Sequence, residues 1–115
     1  MNSQGVMLNI KRLLRTLGVP VNLAGYEYIA ESINFMLNTK KILSMSEIYE
    51  KVSKIYNVNT ESVEVSIRHA VKKSVSYNNN IRQILGIHEK QAISNSIFLS
   101  TVKEFVREEY YLSKK

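Results

Sequence analysis

Between residues 59 and 73, side chains suited to reading a polyanion recur at helical spacing. Arg68 can present two parallel N–H donors to the O6 and N7 acceptors of guanine. Glu64 stands one turn before it. It serves either as an intrahelical partner of Arg68, worth only ~0.3–0.5 kcal/mol, or as an acceptor for a cytosine amine. Val65 offers contact to a thymine methyl, or is simply a solvated valine. Thr60, Ser62 and Ser66 carry hydroxyls that bond phosphates or bases. His69 can meet a phosphate or help to pack and orient its helix. Lys72 and Lys73 lie further toward the C-terminal end, where backbone phosphates are the natural target. Lys51 and Lys54, on the preceding segment, are placed to clamp the flanking backbone. The plain alternative for every charge in this set is a solvated helix face.

Two short amphipathic helices must carry these groups. In residues 46–71, Ile48, Val52 and Ile55 recur with the period of a helix. The turn Tyr56-Asn57-Val58-Asn59 is so short that the two helices must pack at a steep angle. Asn59 or Thr60 caps the second helix. That helix should bury Val63, Ile67, Ala70 and Val71 and expose Ser62, Val65, Arg68, His69, Lys72 and Lys73. This is the arrangement of a helix-turn-helix, whose second helix lies in the DNA major groove. An ordinary helical hairpin in an all-α core has the same spacing.

The remaining chain also reads as helices. A first helix, about residues 5–16, carries Val6, Ile10, Leu13 and Leu14, with Leu17 just beyond. It ends before Gly18, a natural C-cap. Pro20 restricts Val19 to extended conformations and forces a turn. A second helix over about 22–38 carries Tyr26, Ile29, Ile33, Met36 and Leu37. Gly25 in its first turns costs roughly 1 kcal/mol against Ala, which implies that another helix approaches closely. Ser44 and Glu47 fit a capping box at the head of the hairpin. Asn78-Asn79-Asn80 ends the hairpin. A short helix over 81–85 stops at Gly86, and residues 87–93 are the least regular segment. A last helix starts at Ser94 or Ser96 and carries Phe98, Val102, Phe105, Val106 and Leu112. The expected fold is therefore all-α, with about six helices around one core in a single domain over residues 1–115. It belongs with the winged-helix-like effector class but lacks strands.

Composition narrows the partners. The chain has 115 residues, with 16 Lys and Arg against 10 Asp and Glu, a net charge of +6. Such a surplus on a small domain favours polyanions: DNA, RNA or an anionic membrane. No apolar run approaches the ~20 residues of a membrane span. The N-terminal stretch has its basic residues after its apolar ones, unlike a signal peptide. A cytoplasmic protein is expected. The weak amphipathicity of residues 6–17 suits the core better than a membrane surface.

With no cysteine there is no disulfide frame, thiolate nucleophile or Cys-based zinc site. His69 and His88 fit neither an HExxH nor a triad pattern. The pairs Glu47/Glu50 and Glu108-Glu109 read as solvated faces rather than paired catalytic carboxylates, and the four glycines are scattered rather than gathered in a phosphate loop. The expectation is a non-enzyme without metal or cofactor.

Three motifs carry a family resemblance. Leu17-Gly18-Val19-Pro20 with Leu23, Gly25-Tyr26 and Tyr28 resembles the GVP…GY.Y signature that opens the DNA-binding effector domain of the sporulation master response regulators. Residues 62–71, SVEVSIRHAV, are similar to that family's recognition helix with its V-E-x-x-I-R-H-A-I core. Ser94-Asn95-Ser96 followed by Phe98 resembles the T-N-S-E-F motif that opens its last helix. The resemblance spans roughly residues 8–110. It implies a six-helix domain that binds short boxes in double-stranded DNA, as a homodimer on tandem sites, and contacts RNA polymerase sigma factor. Glu64, Arg68 and His69 match family positions that face DNA. Ser62 and Val65 stand where the family pattern has Arg, so two basic groups are missing from the reading face. The family protein also carries a receiver domain, which the short leader before the signature leaves no room for, and a stand-alone protein is expected. The rival expectation is an interaction module or antagonist with a decayed DNA face, binding a related regulator or sigma factor. Tyr110-Tyr111 and the two missing arginines favour it; the net charge and Arg68 oppose it.

Overall fold

The computed structural model describes the backbone of residues 3–113 and the side chains of residues 4–109. It contains six helices: α1 (Ser3–Thr16), α2 (Ala24–Leu37), α3 (Met45–Tyr56), α4 (Thr60–Tyr77), α5 (Ile81–Leu85) and α6 (Asn95–Ser113). No strand occurs among the described residues. Leu112, Tyr110 and Tyr111 have side chains outside the described set.

Local chemistry explains where these helices stop. At the end of α1, the Gly18 N–H bonds the Arg15 carbonyl and the Val19 N–H bonds the Leu14 carbonyl. Gly18 sits at φ +87. This is a Schellman cap, which needs a left-handed residue. Gly86, at φ +70, ends α5 in the same way, with the Ile87 N–H on the Arg82 carbonyl. Asn57 closes α3 at φ 54, a conformation that Asn tolerates better than most residues. The expected Ser44–Glu47 capping box is present, with bonds of 3.1 and 3.2 Å. α2 starts two residues later than expected. Leu23 remains extended and supplies no side-chain cap.

The core runs through all six helices. Val6, Ile10, Leu13, Leu14 and Leu17 are buried, so the apolar face of α1 lies inside the protein. α2 contributes Tyr26, Ile29 and Ile33, and α6 contributes Phe98, Leu99, Val102 and Val106. Gly25 is the point of closest approach between α2 and α4. A Cβ there would lie 2.3 Å from the Ser66 carbonyl oxygen and 2.7 Å from the Ala70 Cβ. The close approach expected from Gly25 is real, and its partner is α4.

One core assignment is corrected. Ile55 is 52 % exposed. The inward row of α3 steps by four residues through Ile48 and Val52 to Tyr56, whose ring meets that of Tyr28 at 5.0 Å. Ile55 lies one residue off that row and faces solvent. Burial, ahead of the nearby Glu31 and Glu27 charges, pushes the Tyr56 phenol up to about 12.

Candidate nucleic-acid interface

α3 and α4 form the expected hairpin. Asn59 caps α4: its side-chain oxygen accepts the Ser62 N–H at 2.7 Å. The inner row of α4 holds Val63, Ile67, Ala70, Val71 and Ser74, all buried. This row fixes which side of the helix remains outside. Thr60, Ser62, Val65, Arg68, His69 and Lys72 are exposed, and Glu64, Ser66 and Lys73 are half-buried. On α3, Lys51 and Lys54 are exposed.

Several of these groups are already engaged. The Glu64 carboxylate accepts from the Arg68 guanidinium at 2.7 Å. Arg68 is exposed and the half-buried Glu64 carboxylate still reaches solvent, so the pair contributes only ~0.3–0.5 kcal/mol. A base edge can displace it at little cost, and meanwhile it holds Arg68 along the helix. The Lys73 ammonium lies 5.7 Å from the Tyr77 ring centroid, toward the end of α4. The Lys51 ammonium lies 5.6 Å from the Phe35 ring, and Lys54 pairs with Glu50 at 3.3 Å. Lys72 and His69 have no partner among the described residues. His69 faces solvent and so does not pack beneath the helix.

Charge is graded along α4. Glu61 and Glu64 occupy its first turns, whereas Arg68, Lys72 and Lys73 follow. Glu61 in the first turn meets the positive pole of the helix dipole, whereas the cations stop short of the last turn.

Tertiary contacts hold α4 in place at three points. The Ser74 hydroxyl donates to the Leu17 carbonyl at 2.6 Å, inside the core. The Asn78 amide donates to the Thr16 carbonyl at 3.2 Å. Asn95, the first residue of α6, does more. Its side-chain amide donates both to the Tyr49 hydroxyl of α3, at 3.0 Å, and to the Glu64 carbonyl of α4, at 3.1 Å. A single side chain thus ties both helices of the hairpin to α6. Burial raises the pKa of the Tyr49 phenol and keeps it protonated. Beside this tie lies an open cleft of about 400 Å³, with Arg68 and Lys72 on its α4 wall and Met45 on its α3 wall. In the sequence, Ser94-Asn95-Ser96 reads only as the opening of a helix. The role of Asn95 depends on contacts 31 and 46 residues away, which no local pattern reveals.

Among the described residues, no group of His, Asp or Glu is arranged to hold a metal ion, and no helix is long and apolar enough to cross a membrane. Residues 10–106 match the family model described as sporulation initiation factor Spo0A C terminal. The match covers all six helices in whole or part, including the entire α3–α4 hairpin. With that match, the chain belongs to the Spo0A C-terminal family, a family of DNA-binding domains of sporulation transcription regulators and not of enzymes.

Proposed function

We propose that the chain is a sequence-specific regulator that lays α4 in the major groove of double-stranded DNA. The observation that carries this is the outward row of α4, where Ser62, Val65, Arg68, His69 and Lys72 are exposed opposite a buried apolar row. Arg68 leaves Glu64 and reads guanine, while Glu64 fixes its rotamer or accepts from a cytosine amine. Val65 touches a thymine methyl. Thr60, Ser62 and Ser66 bond phosphates or base edges. His69, Lys72 and Lys73 face the backbone, and Lys51 and Lys54 clamp it from α3. Tandem homodimers on adjacent boxes and contact with sigma factor complete the proposed role, in the cytoplasm where the DNA lies.

The test is selection of bound sequences from a random duplex pool, with affinities measured at two salt concentrations. A defined box should emerge. Arg68→Ala should cost about 1–3 kcal/mol and relax preference at one base position, whereas Lys72→Ala should weaken all duplexes equally and lower the salt slope by about one. A second reading keeps the fold as an interaction module. It is favoured by the 2.7 Å Glu64–Arg68 pair together with neutral Ser62 and Val65. Weak binding with no enriched box would select it.

A further inference from the structure

The connector between α2 and α3 carries the most exposed apolar side chain of the described residues. Ile42 is 96 % exposed, between Lys40 and Lys41 on one side and Leu43 on the other. It borders a groove of about 300 Å³ with Met36 and Leu43 at its apolar wall and Lys103 and Arg107 of α6 across from them. A second groove, of about 370 Å³, lies against Phe35 and Lys51. The two share Thr39, Lys41 and Leu43, so the connector is their common wall. Cations outnumber anions here. Lys103 and Arg107 share the Glu104 carboxylate at 3.4 and 3.1 Å, and Lys41 pairs with Glu47 at 2.8 Å. Lys40 has no carboxylate partner among the described residues. No residue of α4 lines either groove.

We propose that this ridge and its grooves dock an acidic protein segment bearing apolar side chains, at a surface separate from the α4 face. Both features are needed to choose the occupant. A phosphate backbone would engage the cations but leave Ile42 without a partner. A neutral apolar segment would cover Ile42 but strip water from the lysines without compensation. A second copy of this chain carries a net +6 itself and meets the patch with like charge. An acidic segment with interspersed apolar residues satisfies the knob, the grooves and the cations together. The first groove shares no residue with the proposed DNA contacts and the second shares Lys51, so a partner seated in the first groove can be held while α4 is engaged elsewhere.

The probe is a display library of random short peptides, selected on the full 115-residue chain. Each survivor is measured by fluorescence anisotropy against the wild type and against Ile42→Asp/Lys40→Glu. Both substituted side chains are in solvent, so the variant should fold, and circular dichroism checks that it does. Survivors should combine Asp or Glu with Leu, Ile or Phe. They should bind the variant about 10-fold or more weakly and lose affinity as salt rises. The variant lowers the net charge by three (one at Ile42, two at Lys40), so its affinity should fall on all duplexes alike, while its preference for a selected box over random duplex stays that of the wild type. Four results overturn the proposal: no survivors, survivors lacking acidic residues, equal binding to both proteins, or self-association of the wild type that the variant loses. A variant that loses the preference for a selected box overturns it too, because the patch then takes part in reading DNA.

Discussion

Replacing Gly25 by Ala sets two effects of opposite sign against each other. Ala is the better helix former by about 0.8–1.0 kcal/mol, so propensity alone makes Gly25→Ala stabilising. Packing opposes it. The new Cβ would sit 2.3 Å from the Ser66 carbonyl oxygen and 2.7 Å from the Ala70 Cβ. Both neighbours belong to a helix, and neither is the flexible end of a side chain. Restoring ordinary contact distances requires α2 and α4 to part by roughly 1 Å. Overpacking of this kind costs typically 1–3 kcal/mol, and a clash with backbone belongs at the upper end. The net expectation is a loss of about 2 kcal/mol, or a fall in Tm on the order of 8 °C. Thermal and urea unfolding followed by circular dichroism measure it. The displaced helix is also the proposed reading helix. The ratio of specific to random duplex affinity should therefore fall more than affinity for random duplex, since base contacts depend on register more than phosphate contacts do. A Tm equal to or above that of the wild type would refute the packing argument and show that α2 has room to move away.

Three further outcomes follow from other contacts. The Lys41 ion pair and the Ser44 backbone N–H hold the Glu47 carboxyl down at about 2, against 4.5 ordinarily. Its lowered pKa means that its contribution is fully present above pH 4.5 and disappears as pH falls through 2. The stability gap between wild type and Glu47→Gln should close over that window in melts at stepped pH. Asn95→Ala removes two hydrogen bonds and should cost about 1–3 kcal/mol in urea unfolding; Asn95→Asp should cost at least as much at neutral pH, because a carboxylate cannot donate to the Glu64 carbonyl. Ser62→Arg/Val65→Arg should strengthen binding to a family-type box, with each well-made charged contact contributing roughly 1.5–3 kcal/mol. An equal gain on random duplex would show that the added charges touch only phosphate.

The helices were legible because their signals are local. Capping boxes, Schellman caps and apolar rows depend on residues three to five apart, and those distances are set by helix geometry alone. Gly18, Gly86 and Ser44 marked boundaries that the fold keeps. The α4 faces followed from the same periodicity: Val63, Ile67 and Val71 are inside, while Val65 and Arg68 are outside. Ile55 failed by one residue. Periodicity allows either Ile55 or Tyr56 to continue the inward row, and the Tyr28 ring on α2 decides for Tyr56.

From sequence alone, then, came the all-helical class, the hairpin, its outward cations and the family motifs, since each is written in neighbouring residues. Tertiary structure alone decided what holds the hairpin. Gly25 announced a close approach, but only packing identifies Ser66 and Ala70 as the atoms it meets. The Ser74 bond to Leu17 spans 57 residues. The Asn95 tie reaches Tyr49 and Glu64 across two helices. The Ile42 patch gains its cations from Lys103 and Arg107, far along the chain. Contacts at such separations depend on how whole helices dock, and docking is settled by the shape of a shared core and not by any local run of residues.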